Sequence, residues 1–123
     1  MSQYVDSNTK AFAAAGTIAQ FARVKLGSGG TITAAALADI EIGIAMERAA
    51  SGDVIPVKLR SGVGTCKAIA AAAITRGANV YSAASGKVSV SATGAYNLGI
   101  AIEAAAANGD IIEILYLTPG AVV

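Results

Sequence analysis

Apolar and polar side chains alternate with a period of two along much of the chain. Residues 55–60 (IPVKLR) alternate an aliphatic side chain with proline, lysine or arginine, and residues 18–26 and 42–47 follow the same alternation. Because successive side chains of a strand point to opposite faces, this pattern predicts half-buried β-strands. Pro56 has no amide hydrogen to donate, which favours an edge strand or a position without a ladder bond.

Glycine interrupts these runs at short intervals, as in residues 27–30 (GSGG) and at Asn108 and Gly109. Asn-Gly between two apolar runs is the strongest short signal of a β-hairpin. Short strands separated by glycine turns predict an all-β fold, a small β-sandwich or barrel. At most one or two short helical turns are expected, and residues 33–36 are the best candidate because Thr33 can cap them.

Two stretches of sequence occur twice. Residues 43–47 (GIAME) recur as 99–103 (GIAIE), and residues 50–55 (ASGDVI) recur as 107–112 (ANGDII), with offsets of 56 and 57. Two copies are too few for a solenoid. The duplication predicts two pseudo-repeated β units, about residues 22–60 and 79–117, that close one core together.

The first 16 residues lack a trustworthy strand or helix period, and Phe12 is the only large apolar side chain between Val5 and Ile18. We expect residues 1–16 to form an extended N-terminal arm and residues 17–123 to form the β-domain. Ordinary chain termini are poorly ordered unless something holds them. An ordered arm would therefore favour contact with a partner surface.

The surface implied by the composition has little charge. Charged residues are 14% of the chain, against about 25% in typical soluble domains, and 54% of residues are hydrophobic. The longest apolar run, residues 68–74, is much shorter than the roughly 20 residues of a membrane-spanning helix. Burial of the apolar surface in an assembly therefore explains the low charge better than insertion into a membrane does.

Few residues are suited to catalysis or to ligand binding. The chain has no histidine, and Cys66 is its only cysteine, which is expected to be a small buried residue and fits synthesis in a reducing cytoplasm. Glu47 and Glu103 are equivalent in the repeat but are expected to be solvated or interface charges. The net charge of +1, with lysine and arginine scattered singly, argues against nucleic-acid binding. No enzyme activity, cofactor or metal site is predicted.

The chain resembles the capsid cement, or head decoration, family of tailed phages. The resemblance is carried by residues 19–26 (AQFARVKL), 71–81 (AAAITRGANVY), 85–88 (SGKV) and 99–105 (GIAIEAA). It implies a β-rich structural protein that binds the outer surface of an assembled capsid. It also implies the major capsid protein as partner, a homotrimer, synthesis in the bacterial host cytoplasm, and no nucleic acid, membrane or small-molecule substrate. The alternative is another virion component, such as a tail or adhesin module.

Basic and aromatic side chains are the best candidates for contact with the capsid or with neighbouring subunits. Exposed charge pairs contribute only about 0–1 kcal/mol each, so such contacts would set register more than affinity. The candidate interface residues are Tyr4, Phe12, Arg23, Lys25, Arg48, Lys58 and Arg60.

Overall fold

A computed structural model describes residues 9–60 and 64–116 of the protein and shows ten β-strands in that part of the chain. The prediction of an all-β fold is confirmed. The strands are β1 (Thr9–Ala13), β2 (Arg23–Leu26), β3 (Ile32–Ala34), β4 (Gly43–Ala45), β5 (Val54–Leu59), β6 (Thr65–Ile69), β7 (Asn79–Ser82), β8 (Val88–Ser89), β9 (Asn97–Ala101) and β10 (Ile111–Tyr116).

The strands form two five-stranded antiparallel sheets with one shared topology. The first sheet has the order β1-β5-β4-β2-β3, and the second has the order β6-β10-β9-β7-β8. Each strand of the second sheet therefore has a counterpart five strands earlier in the chain. We call residues 9–60 repeat 1 and residues 65–116 repeat 2. The pair of β units expected from the duplicated sequence is present.

Each sheet curls until its two edge strands meet. In repeat 1 a parallel bridge joins Ala14, after β1, to Ile32 of β3, and in repeat 2 the equivalent bridge joins Ala70 to Val88. The edge strands meet only at these points within the described residues. Each repeat is thus a small, incompletely closed barrel with an open seam beside its first strand.

The described part of the expected arm belongs to repeat 1. Strand β1 pairs antiparallel with β5, from Thr9 opposite Lys58 to Ala13 opposite Val54. The second repeat uses β6 against β10 in the same way, so the duplicated unit includes a first strand that the short sequence match did not reveal. Residues 1–8 lie outside the described residues, and an arm there stays a prediction.

Two hydrophobic clusters replace the single core that the duplication suggested. One contains buried side chains of repeat 1 with Ile69 of β6, and the other contains buried side chains of repeat 2 with Ile44 of β4. Ile55 and its repeat equivalent Ile112 are buried, at 3% and 2% exposure. Each unit has its own core because each sheet curls on itself, and one isoleucine from each repeat joins the other's cluster.

Local structure differs from the sequence predictions at two positions. The helical turns are short 3₁₀ turns at Ser28–Gly30 and Ala84–Gly86, whereas Thr33 lies in β3, so the prediction of a capped turn at residues 33–36 is wrong. Alanine favours helix, but pairing of Thr33 with Lys25 holds this segment extended. Pro56 lies in a strand with neighbours on both sides, one residue beyond the last β4–β5 pair, where no amide hydrogen is needed.

Candidate interaction surfaces

The junction between the two repeats contains a buried ion pair. Arg23 of β2 and Glu41 before β4 have 0% and 1% exposure, and their side chains form a salt bridge with a nitrogen–oxygen distance of 3.3 Å. The Tyr116 hydroxyl at the end of β10 donates a hydrogen bond to the other Glu41 carboxylate oxygen at 2.7 Å. Side chains from both repeats therefore complete one polar network at the junction.

The Arg23 guanidinium also donates hydrogen bonds to main-chain carbonyls of both repeats. Its Nε donates to the Lys87 carbonyl oxygen at 2.9 Å, and Nη2 donates to the Ala83 carbonyl oxygen in repeat 2. Within repeat 1, Nη2 donates to the Ala36 carbonyl oxygen at 3.0 Å. Every buried side-chain nitrogen or oxygen in the described part of the chain has a hydrogen-bond partner. The Arg23 side chain therefore links the main chains of the two repeats.

Burial controls the ionisation of this cluster. Desolvation lowers the pKa of Arg23, and the Glu41 carboxylate opposes that shift by favouring the charged guanidinium. Desolvation raises the pKa of Tyr116 well above its ordinary value, and its proximity and hydrogen bond to Glu41 add to the shift. The phenol thus stays protonated and keeps its role as hydrogen-bond donor.

This placement corrects the prediction that Arg23 contacts a capsid. Alternation put Arg23 opposite Val24 and therefore on a solvent-facing side. That side of β2 is instead covered by repeat 2, and both residues are fully buried. The sequence did not show that the outer face of one sheet would become an internal interface.

A groove with a volume of about 380 Å³ lies between the repeats beside this junction. Repeat 1 contributes Phe21, Ile44, Met46 and Lys58, and repeat 2 contributes Thr65, Cys66, Lys67 and Glu113. The Thr65 hydroxyl donates a hydrogen bond to Glu113 Oε2 at 2.6 Å. The groove therefore has a mostly apolar floor and a rim with charges of both signs.

Phe21 adopts a backbone conformation that is rare for a residue of its size. Its φ is +69°, and Gly77, its equivalent in repeat 2, has a φ of +87°. A positive φ costs an aromatic residue free energy that glycine avoids. The ring packs against both hydrophobic clusters, so contacts at the junction offset that cost.

The remaining candidate interface residues do not form one patch around a single site. Phe12 is half-buried in β1, with the Lys10 ammonium 5.9 Å from its ring centroid. Lys25 makes an exposed salt bridge of 2.8 Å with Asp39, which lowers the pKa of that carboxyl. The other three described candidates are Arg48, which is exposed, and Lys58 and Arg60, which are half-buried. Tyr4 lies outside the described residues.

Large apolar side chains are exposed at several points of the surface. The largest exposed fraction is 67%, at Val54, followed by 56% at Leu26. Alternation had placed Leu26 on the same face as buried Val24, but the strand ends there and its side chain reaches solvent. The other exposed large apolar residues are Leu37, Ile40, Met46, Val90 and Ile111.

The acidic residues of the repeat stabilise backbone turns. Asp53 Oδ2 accepts a hydrogen bond from the Ala50 amide at 2.9 Å, an arrangement typical of an aspartate in a turn. Asp110 Oδ2 accepts from the Ala106 and Ala107 amides at 2.8 and 3.1 Å. Glu103 Oε1 accepts from the Glu113 amide at 2.8 Å, whereas its repeat equivalent Glu47 faces a strand in which proline replaces that donor.

The single cysteine is held in an unreactive form, and the described residues form no metal-binding cluster. Burial raises the pKa of the Cys66 thiol to about 12, which keeps it in the weakly nucleophilic protonated form. In residues 9–60 and 64–116 no three cysteine, aspartate or glutamate side chains group so as to hold a metal ion. Nor does that part of the chain contain a helix long and apolar enough to cross a membrane.

Comparisons with known proteins bear on the family and, separately, on the fold. No curated protein matches the chain. Among solved structures, the head fiber gp8.5 N base in bacteriophage phi29 is similar, with a TM-score of 0.73 over 89% of this chain and 92% of that chain. At 19% sequence identity this likeness shows the fold alone. The model of the phage cement protein family matches residues 3–116. The chain therefore belongs to the phage cement protein family, and it is a structural, capsid-associated protein of the virion.

Proposed function

We propose that the protein binds the outer surface of an assembled capsid, contacts the major capsid protein and stabilises the shell. The observation that carries this proposal is the family match over residues 3–116. Cementing requires many rigid contacts and no reaction, so we infer that the protein is not an enzyme. We further propose that it acts as a homotrimer, made in the bacterial host cytoplasm before it joins the virion.

The distribution of apolar surface supports this role. Seven large apolar side chains are at least 40% exposed in the described residues. The chain as a whole is only 14% charged, so few charged groups surround them. Burying about 800 Å² per partner is typical of a stable interface. Many copies on one shell would act together, because each contact helps to hold the neighbouring capsid subunits in place.

We assign the capsid contacts to the exposed or half-buried candidates and to the N-terminal segment. Phe12, Lys25, Arg48, Lys58 and Arg60 remain candidates, together with Tyr4 in the segment 1–8. Arg48 is the cleanest single probe, because it is exposed and its repeat equivalent is Ala104. We expect basic side chains to meet acidic groups of the capsid and to fix the register of binding.

The direct test adds purified protein to closed capsids that were assembled without it. Only the exterior of a closed shell is available, so saturable binding with a fixed copy number supports binding to the outer surface. The melting temperature of the particle should rise with occupancy. No binding to closed shells, or binding without any change in shell melting, would contradict the cement role.

Two matched variants test the residue assignment. Arg48→Glu should weaken capsid binding, most clearly at low salt, whereas Arg76→Glu reverses another exposed arginine that was not assigned to the interface. Removal of residues 1–8, which leaves β1 intact, should lower occupancy if that segment reaches a neighbouring capsid subunit. Equal binding by Arg48→Glu and Arg76→Glu would remove Arg48 from the proposed interface.

A further inference from the structure

One row of side chains on the outer face of repeat 1 makes part of the contact with repeat 2. Arg23, Ile44 and Lys58 are direct cross-strand partners on β2, β4 and β5, so their side chains share one face of the sheet. We call them the junction row. Arg23 donates hydrogen bonds to repeat 2, Ile44 joins the hydrophobic cluster of repeat 2, and Lys58 lines the groove at its edge.

The junction row fills the seam of repeat 2. One side of that seam is β6, which contributes Cys66 to the groove. The other side is the segment around the second 3₁₀ turn, where Ala83 and Lys87 present the carbonyls that Arg23 contacts. Ser82 is fully buried there, and its hydroxyl donates a hydrogen bond to the Leu37 carbonyl oxygen at 2.7 Å.

Repeat 2 has the same row, but no third repeat follows it among the described residues. Asn79, Ile100 and Leu115 are cross-strand partners on β7, β9 and β10 in the same register as the junction row. We call them the open row. Asn79 is exposed and the other two are half-buried, and leucine replaces the lysine of the junction row. The open row is thus more apolar than its internal counterpart.

Repeat 1 has the same seam, and no described repeat precedes it. Strand β1 forms one side, and residues 27–31 around the first 3₁₀ turn form the other. We call this the open seam. Leu26 is 56% exposed beside it, at the position equivalent to Ser82, which is fully buried at the junction. Both uncovered faces therefore carry a leucine where the internal junction carries a polar residue.

From this arrangement we infer that the open row of one chain docks into the open seam of a second copy, head to tail. The occupant is identified by the chain itself, because repeat 2 already receives the equivalent row of repeat 1. By the same equivalence, Ile100 and Leu115 take the places of Ile44 and Lys58 beside the seam, and Leu26 is covered at the position of Ser82, which contacts Leu37 at the internal junction. The Asn79 amide can donate to carbonyls of the 27–31 turn as Arg23 does to Ala83 and Lys87.

Such a contact uses two different faces, so it is heterologous and repeats from chain to chain. We infer that the chains close into a ring, as a homotrimer requires. The inference rests on the proposed homotrimer only for the number of chains in that ring. The assignment of the two faces does not depend on capsid binding.

Two single variants and their mixture provide the test. Leu115→Glu damages only the open row, and Leu26→Glu damages only the open seam; each should convert the wild-type ring to monomer in light scattering. An equimolar mixture retains one intact row and one intact seam, so it should form a dimer that cannot grow. Val54→Glu, at a side chain that is 67% exposed and outside both faces, should keep the wild-type mass.

Thermal melting of each variant, which should shift by no more than a few degrees at these surface positions, shows that loss of assembly is not loss of folding. The inference is overturned if wild-type protein stays monomeric up to millimolar concentration. It is also overturned if either variant keeps the wild-type mass, or if the mixture remains monomeric. Binding to closed capsids is measured separately, so failure of self-association and failure of the cement role give different results.

Discussion

Replacing Arg23 by methionine would leave Glu41 without its cationic partner inside the junction. Both residues are at most 1% exposed, so water cannot replace the lost contacts. Breaking a buried ion pair by removing one partner costs about 3–5 kcal/mol. The Lys87 and Ala83 carbonyls lose a donor as well. We therefore expect Arg23→Met to lower the free energy of unfolding by about 4 kcal/mol, a large share of the 5–15 kcal/mol typical of such domains.

Urea unfolding and calorimetry would measure this change. A loss of about 4 kcal/mol corresponds to a fall in melting temperature of roughly 15 °C for a protein of this length. The matched control is Lys25→Met, two residues along the same strand. Lys25 pairs with Asp39 at 2.8 Å, but its side chain is 42% exposed. Solvent screening limits the loss there to less than about 1 kcal/mol.

A second substitution separates the buried charge from lost packing. Adding Glu41→Gln to Arg23→Met removes the uncompensated carboxylate while keeping the shape and the oxygen that accepts from Tyr116. The double variant should therefore be more stable than Arg23→Met alone. The reasoning fails if Arg23→Met costs no more than Lys25→Met, or if the double variant is the less stable of the two.

Three further outcomes test local features of the fold. Gly43→Ala should cost about 3 kcal/mol or more, because an added Cβ would clash with the Lys58 carbonyl oxygen, whereas Gly16→Ala meets nothing within 4 Å and should stay within about 0.5 kcal/mol in the same denaturation assay. Asp110→Ala should cost about 1–2 kcal/mol and Asp53→Ala less, because Asp110 accepts two amide hydrogen bonds and Asp53 one; equal losses would contradict this. Burial raises the pKa of Cys66 from 9.0 to about 12, so at about pH 8 native protein should react with a thiol reagent at least roughly 100-fold more slowly than unfolded protein. Because that proton is held more tightly in the folded state, this thiol's contribution to stability should be lost as pH rises from 9 towards 12; native labelling as fast as unfolded labelling would exclude both effects.

The sequence predicted the features of the fold that depend on local patterns. Alternation identified β4 and β5, and the GIAME and GIAIE motifs identified two β units. The glycine that begins the GIAME motif has a steric reason, because any side chain at Gly43 would clash with β5. Strand β1 was missed because its match to β6 lies in topology and register, with little identity between TKAFA and TCKAI.

The junction could not be predicted in the same way. Alternation indicates which side chains share a face, but not whether that face meets water or a second sheet. Arg23 was therefore taken for a surface charge. Its partner Glu41 lies 18 residues away in the chain, and Tyr116, which donates a hydrogen bond to Glu41, lies a further 75 residues on. Position 21 carries one informative difference between the repeats, because phenylalanine occupies the position that is Gly77 in repeat 2. The positive φ that both residues share is visible only in the structure.

The cross-repeat bonds of Arg23 also matter while the chain is being made. Repeat 1 leaves the ribosome first, and every strand of its sheet is then available to pair. The carbonyls of Ala83 and Lys87 have not yet emerged, so the guanidinium stays hydrated on the uncovered face. A positive charge at that position would oppose aggregation of the incomplete chain through the neighbouring Ile44. Arg23, which later links the two repeats, would thus limit aggregation of repeat 1 until repeat 2 has been synthesised.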